Sequence, residues 1–176
     1  SLTTLNLTKT SGNADVTAAA GTRALTIGLD SVTGGTLTDA TATTVTVKST
    51  GTASSGITLT TVAATGVTLA AESAKLTLAD VNLTAATSIA ASGSKAITIT
   101  ATSDVSALTS VSSTNTAGLT ISAALATGVL VTGGSGNDSV KLGATTKAIT
   151  MGAGNDTVEL TGATLGTGGS IDAGDG

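Results

Sequence analysis

Two aspartates, Asp138 and Asp156, stand two nonapeptide lengths apart in nearly the same setting: GGSGNDSVK over Gly133–Lys141 and MGAGNDTVE over Met151–Glu159. A carboxylate repeated beside a glycine-rich turn is oxygen chemistry, suited to a hard cation. Calcium accepts 6 to 8 oxygens, backbone carbonyls included, in a flexible geometry. Zinc is disfavoured, because the chain has no His and no Cys to bind it. Catalysis has little to work with. His, Cys and Tyr are all absent, and Ser or Thr without a neighbouring base are ordinary strand and turn residues.

The first stretch follows G-G-x-G-x-D-x-U-x, with U a large apolar residue, at Gly133, Gly134, Gly136, Asp138 and Val140. The second follows it at Gly152, Gly154, Asp156 and Val158, with Met151 in place of the first glycine. These residues closely resemble the RTX nonapeptide repeat of secreted bacterial proteins, a calcium-binding solenoid signature. The resemblance implies that each nonapeptide supplies a six-residue turn and a short strand, so that two of them complete a coil. Asp138 and Asp156 would then stack at the inter-strand distance of about 4.8 Å. At that separation they repel by about 1 kcal/mol in bulk water and about 3.5 kcal/mol at an effective dielectric of 20. A cation between them reverses the sign. The resemblance further implies that Asp138 and Asp156 donate carboxylate oxygen to Ca2+, while carbonyls near Gly133, Ser135, Met151 and Ala153 complete the shell. Turn glycines such as Gly136 and Gly154 are expected to take positive φ and aim carbonyls inward.

Between the motifs, LGATTKAIT over Leu142–Thr150 keeps the apolar position as Ile149 but places Thr145 at a turn glycine and Lys147 at the Asp. The opposite edge of the coil is therefore expected to bind no calcium, with Lys147 facing solvent. After Glu159 the register loosens. IDAGDG reads as a partial third copy displaced by a four-residue insertion around residues 161–169, and the chain is expected to be a piece of a longer polypeptide. Asp172 and Asp175 either complete a second calcium site with Asp156 or are solvated loop acids.

The elements that position these groups announce themselves as apolar-x-apolar triplets. The clearest are Leu5–Leu7, Leu25–Ile27, Val45–Val47, Ile57–Leu59, Val67–Leu69, Leu76–Leu78, Ile97–Ile99, Leu119–Ile121 and Val129–Val131, with weaker candidates at Ile89 and around Leu108–Val111. Apolar residues at i and i+2 share one strand face, and the middle Thr takes the other. Strands this short bury that face only by stacking, coil upon coil of roughly 20 residues. An antiparallel sandwich would call for aromatic core residues and Pro or Asn-Gly turns, which are missing. A flexible Thr/Ser-rich stalk lacks regular apolar triplets. Ala-rich pieces such as Val16–Ala20 and Ala70–Ala74 hold no helical period for long. The expected fold is all-β: a right-handed parallel β-solenoid over residues 1–131, running into a calcium-binding RTX β-roll over residues 132–176.

Composition sets the remaining bounds. With no Phe, Trp, Tyr, Pro or Cys and a single Met, buried volume must come from Ala, Val, Ile and Leu in thin layers. The net charge of -4 and the lack of basic stripes or aromatic platforms argue against nucleic acid. No apolar run reaches the about 18 residues of a membrane span, and the first residues lack the charged and apolar regions expected of a secretory signal peptide. Carboxylate pairs such as Asp30 with Asp39 or Glu72 with Asp80 lack aromatic platforms for sugar rings, and Asp15, Asp30, Asp39, Asp80 and Asp104, near Gly, Ser or Thr, read as turn residues that satisfy backbone amides. No enzymatic activity is expected.

A Thr/Ala/Gly-rich, Cys-free, acidic chain whose solenoid runs into RTX repeats resembles the lattice-forming domain of bacterial surface-layer proteins exported by type I secretion. That resemblance implies an extracellular location on the bacterial surface, calcium-dependent folding, self-association into a two-dimensional lattice, and contact with cell-surface polysaccharide through regions outside this sequence. The alternative is the calcium-stiffened stalk of a secreted RTX adhesin. The calcium-binding domain of a secreted protease or toxin comes third.

Overall fold

The computed structural model describes residues 2–161 and 165–176. Seventeen strands succeed one another: β1 (Thr4–Thr8), β2 (Ala14–Val16), β3 (Ala24–Asp30), β4 (Thr36–Asp39), β5 (Thr44–Ser49), β6 (Ser54–Thr61), β7 (Gly66–Ala71), β8 (Leu76–Leu83), β9 (Ser88–Gly93), β10 (Ile97–Asp104), β11 (Ser110–Ser113), β12 (Leu119–Leu125), β13 (Leu130–Thr132), β14 (Ser139–Leu142), β15 (Ala148–Thr150), β16 (Thr157–Leu160) and β17 (Ser170–Asp172). Odd-numbered strands form one sheet in chain order and even-numbered strands the other, every pairing parallel. There is no helix among the described residues. The chain is a right-handed parallel β-solenoid of about 8 turns, with one strand from each sheet per turn.

Parallel stacking aligns like with like. Leu25, Val45, Val67, Ile89, Val111, Val131 and Ile149 form one inward column, each opposite the next, and all are buried. The intervening Thr26, Thr46 and Thr68 form the outward column beside it. One buried apolar cluster runs unbroken from Leu25 to Met151. Every triplet named from the sequence lies on a strand or abuts one. Strands β2 and β4 escaped notice because ADV and TLTD carry too few large apolar residues to stand out.

At the corner leading from the even-numbered sheet to the odd-numbered one, Ala42, Ala64 and Ala86 are fully buried. Beside them the hydroxyls of Thr65, Thr87 and Thr109 donate to the carbonyls of Thr43, Thr65 and Thr87, at 3.4, 3.1 and 2.9 Å. Small side chains let the two sheets close, and each threonine ties its coil to the one before. Nearer the N-terminus, Arg23, the only arginine, is buried and paired with buried Asp39. Its guanidinium also donates to Thr41 Oγ1 at 2.8 Å and to the Leu2 carbonyl at 3.0 Å. Asp39 accepts the amides of Thr41 and Ala42 as a turn aspartate should. Its cationic partner lies a coil away and was not foreseen. Burial alone would raise the Asp39 pKa, but Arg23 and the two amides outweigh it and hold the carboxyl below its ordinary value.

The coil shortens by four residues where the repeated motifs begin. Val67 lies opposite Ile89 in a long coil, whereas Val131 lies opposite Ile149, and Val140 opposite Val158, in short ones. The coil in which Val111 lies opposite Val131 is intermediate, and part of the adjustment is made in β12. Ile121 pairs with Val140 and Ala124 with Lys141, leaving Ser122 and Ala123 as a bulge. From Val140 on, short coils stack on long ones without interrupting the core. The expected insertion over residues 161–169 includes residues 162–164, which lie outside the described residues. The pairing across it, Ile149 opposite Ile171, restores the longer coil.

Candidate metal centre

Two six-residue corners face each other along one edge of the solenoid. Gly133–Asp138 connects β13 to β14, and Met151–Asp156 connects β15 to β16. The flanking strands fix their stacking, with Thr132 opposite Thr150 and Ser139 opposite Thr157. Equal coil length therefore puts each residue of one corner over its counterpart in the other. Asp138 is 2% exposed. Its Oδ1 accepts the Leu119 amide of the preceding coil at 2.6 Å, and its Oδ2 accepts the Gly134 amide at 2.8 Å. Asp156 reaches back in the same way, its Oδ1 accepting the Asp138 amide at 2.8 Å. Asp156 Oδ2 is buried and has no hydrogen-bond partner among the described residues.

The electrostatics follow from this burial. Loss of solvent pushes the Asp138 carboxyl up, the Leu119 and Gly134 amides pull it down, and the Asp156 charge pushes it up again, so its pKa lies above the ordinary value. An ionised Asp138 is thus disfavoured by its surroundings, although two amides point at it. A positive charge at this edge would relieve that cost.

The glycines serve the site in two different ways. Gly152 and Gly154 adopt positive φ, 90° and 131°, as turn glycines were expected to do. Gly136 does not. It is glycine because a Cβ there would collide with the Gly118 amide nitrogen of the coil beneath. The expectation of positive φ holds for the second motif and is corrected for the first, where Gly133, Gly134 and Gly136 all lack it and close backbone approach is the reason.

The donor set fits calcium. The carbonyls of Gly133, Ser135, Met151 and Ala153 accept no backbone hydrogen bond among the described residues, in a fold where such groups are nearly always paired. A Cβ on Gly133 would meet the Met151 carbonyl oxygen and lie 2.8 Å from Asp138 Oδ2, so a carbonyl and a carboxylate oxygen converge on the space that this glycine leaves. Among the described residues no three His, Cys, Asp or Glu side chains cluster. Any cation here must take much of its shell from carbonyls, which a hard ion of high coordination number accepts.

The structure thus brings Gly133, Ser135, Gly136, Asp138, Met151, Ala153, Gly154 and Asp156 to one edge. Ser135 is exposed there, and Gly136 and Met151 are buried. Asp172 and Asp175 do not join a cluster with Asp156. Asp172 is exposed and closes its own turn, its Oδ1 accepting the Gly174 amide at 3.0 Å. Asp175 is exposed and meets Ala153 through its backbone alone, in an isolated bridge. What faces Asp156 on that side is a cleft of about 280 Å³ lined by Gly154, Asn155, Asp156, Ala173, Gly174 and Gly176.

Asn137 is a site residue that sequence reasoning passed over. Its Oδ1 accepts the Asn155 amide at 2.9 Å and so ties one corner to the next. The Asn repeated before each Asp was the available signal. On the opposite edge Thr145 is buried, and its Oγ1 accepts the Lys147 amide at 3.1 Å, while Lys147 is exposed. That corner is closed by a hydroxyl where a glycine turn would stand. Outside the corners, Asp30 accepts the Thr52 amide and Asp80 the Ser103 amide. Asp30, at the end of β3, satisfies an amide as a turn acid was expected to, whereas the expectation is corrected for Asp80, which accepts its amide from within β8 and not from a turn. Neither a protein-family model nor a curated protein matches the chain.

Proposed function

We propose that this chain is a structural, non-catalytic β-solenoid whose last coils fold on calcium outside the bacterial cell, and that it forms part of a self-assembling surface-layer lattice. The observation that carries the calcium reading is the stacked pair of corners: a buried Asp138, an Asp156 oxygen without a partner among the described residues, and four carbonyls at the same edge without backbone hydrogen bonds there. Asp138 and Asp156, with carbonyls of Gly133, Ser135, Met151 and Ala153, hold the ion. Bound there, Ca2+ supplies the positive charge that two stacked carboxylates lack. The chain's own part is to keep the carboxylates apart from water and to present carbonyls from successive coils at one edge.

Binding free energy then becomes folding free energy. Where calcium is scarce, as inside the cell, the repelling corners are weakened and open readily, which leaves the chain fit for export. Where it is abundant, they close. The lattice reading rests on the resemblance in composition and motif, and it brings with it type I secretion, partners that are further copies of the protein, and attachment to cell-surface polysaccharide.

The test is a calcium titration followed by far-UV circular dichroism, with Asp138→Ala plus Asp156→Ala as control. A gain of β signal in the parent and none in the double variant is expected. Electron microscopy then asks for regular sheets that disperse when calcium is chelated. A chain that folds on calcium but stays monomeric points to an adhesin stalk instead. No calcium response in the parent overturns the proposal.

A further inference from the structure

Along the edge that carries Asp138 and Asp156, one coil nearer the N-terminus, the corner after β11 holds Asn115. This residue is fully buried, and each polar atom of its side chain is engaged. Nδ2 donates to the Ser92 carbonyl at 3.1 Å and to the Lys95 carbonyl at 2.8 Å, both in the preceding coil, while Oδ1 accepts the Ala117 amide at 2.8 Å. Its own amide donates to Ser113 Oγ at 3.1 Å. Two carbonyls of one coil, Ser92 near the end of β9 and Lys95 in the corner after it, thus converge on a group that belongs to the next corner and offers them hydrogen.

The following corners reverse that chemistry. The side chains reaching back across them are the Asp138 and Asp156 carboxylates, which accept hydrogen and offer none. Asn115 stands beneath Gly134 and Asp138 beside Leu119, so the two occupy different places in their corners. Among the described residues no side-chain amide reaches the carbonyls of Gly133 and Ser135, which accept no backbone hydrogen bond either. Carbonyl oxygens are satisfied from within the chain where an NH2 group reaches them; where carboxylates stand instead, they are left to water or to a cation from outside.

We infer that Asn115 is a built-in substitute for a cation: it closes the carbonyl edge at its own corner, ends the metal ladder on its N-terminal side, and gives the calcium-dependent coils a metal-independent corner to stack on. Exchange of its NH2 group for an oxygen turns that corner into a cation site of the same oxygen-donor class. The latter statement rests on the calcium reading of Asp138 and Asp156, and the closure by Asn115 does not.

The experiment compares the full chain with Asn115→Ala and Asn115→Asp by thermal unfolding in EDTA and in millimolar calcium chloride, with calcium stoichiometry from isothermal titration. Asn115→Ala, which leaves two buried carbonyls without donors, is expected to lower the melting temperature by roughly 5 °C or more in both conditions. Asn115→Asp is expected to be lowered in EDTA, unfolded outright if need be, and to recover in calcium while binding one more ion per chain than the parent. An Asn115→Ala variant as stable as the parent overturns the inference. So does an Asn115→Asp variant that gains no calcium response beyond the parent's. A parent that ignores calcium beside an Asn115→Asp variant that responds to it keeps the inference and sinks the calcium reading of Asp138 and Asp156. A responsive parent beside an indifferent variant does the reverse.

Discussion

Asp138→Ala separates two tasks of one carboxylate. In the absence of calcium its oxygens accept the buried amides of Leu119 and Gly134. Truncation leaves both without partners, at about 1 to 3 kcal/mol each. Against this, a buried charge whose pKa is pushed up by desolvation and by Asp156 disappears, which returns part of the loss. A net destabilisation of about 1 to 4 kcal/mol in EDTA follows. In calcium at about 100 times the dissociation constant the parent gains a further ~2.7 kcal/mol that the variant does not. At about 2 to 4 °C per kcal/mol for a chain of this size, the gap between parent and variant should widen by about 5 to 11 °C on adding calcium. The assay is thermal unfolding by circular dichroism in EDTA and in calcium, with hydrogen exchange at the Leu119 and Gly134 amides to localise the loss, since solenoid coils contact only their neighbours. The same gap in both conditions refutes the coupling of Asp138 to calcium. No gap in EDTA refutes its task as an amide acceptor.

Two further outcomes follow from the fold. Asp39→Ala strands the buried Arg23 guanidinium and should cost about 3 to 5 kcal/mol in chemical denaturation. Because the folded-state pKa of Asp39 is depressed below 3.8, its contribution is present above that value and lost as pH falls through the lower folded value. The parent should therefore lose stability in that acid window by more than Asp39→Asn does, and equal acid slopes would count against the pairing. Gly133→Ala sets a Cβ against the Met151 carbonyl and should cost about 1 to 3 kcal/mol through overpacking. It should also weaken calcium binding in isothermal titration, whereas unchanged affinity would place the site elsewhere.

Much of the architecture was legible because a parallel solenoid writes itself into sequence as repetition. Inward Val, Ile and Leu at i and i+2, Thr between them, and coils of near-constant length leave a pattern that needs no tertiary information to read. The stacking of Asp138 and Asp156 was legible for the same reason: coil length alone determines which residues meet. What repetition does not encode was missed. Arg23 and Asp39 share no pattern, and only the closing of a corner brings them together. The Thr43–Thr109 spine hides among many other threonines, since a hydroxyl facing solvent and one donating to a neighbouring carbonyl look alike in a sequence.

The sequence by itself therefore determined the class of fold, the coil length at the motifs and the edge on which the aspartates stand. These depend on periodicity and on the alternation of side chains along a strand. Only the tertiary structure decided which oxygens are free. Whether Asp172 meets Asp156, whether Gly136 is a turn or a close approach, and whether Asn115 faces water or two carbonyls depend on how one coil sits upon the last. That contact is set by backbone packing across coils, which no single coil contains.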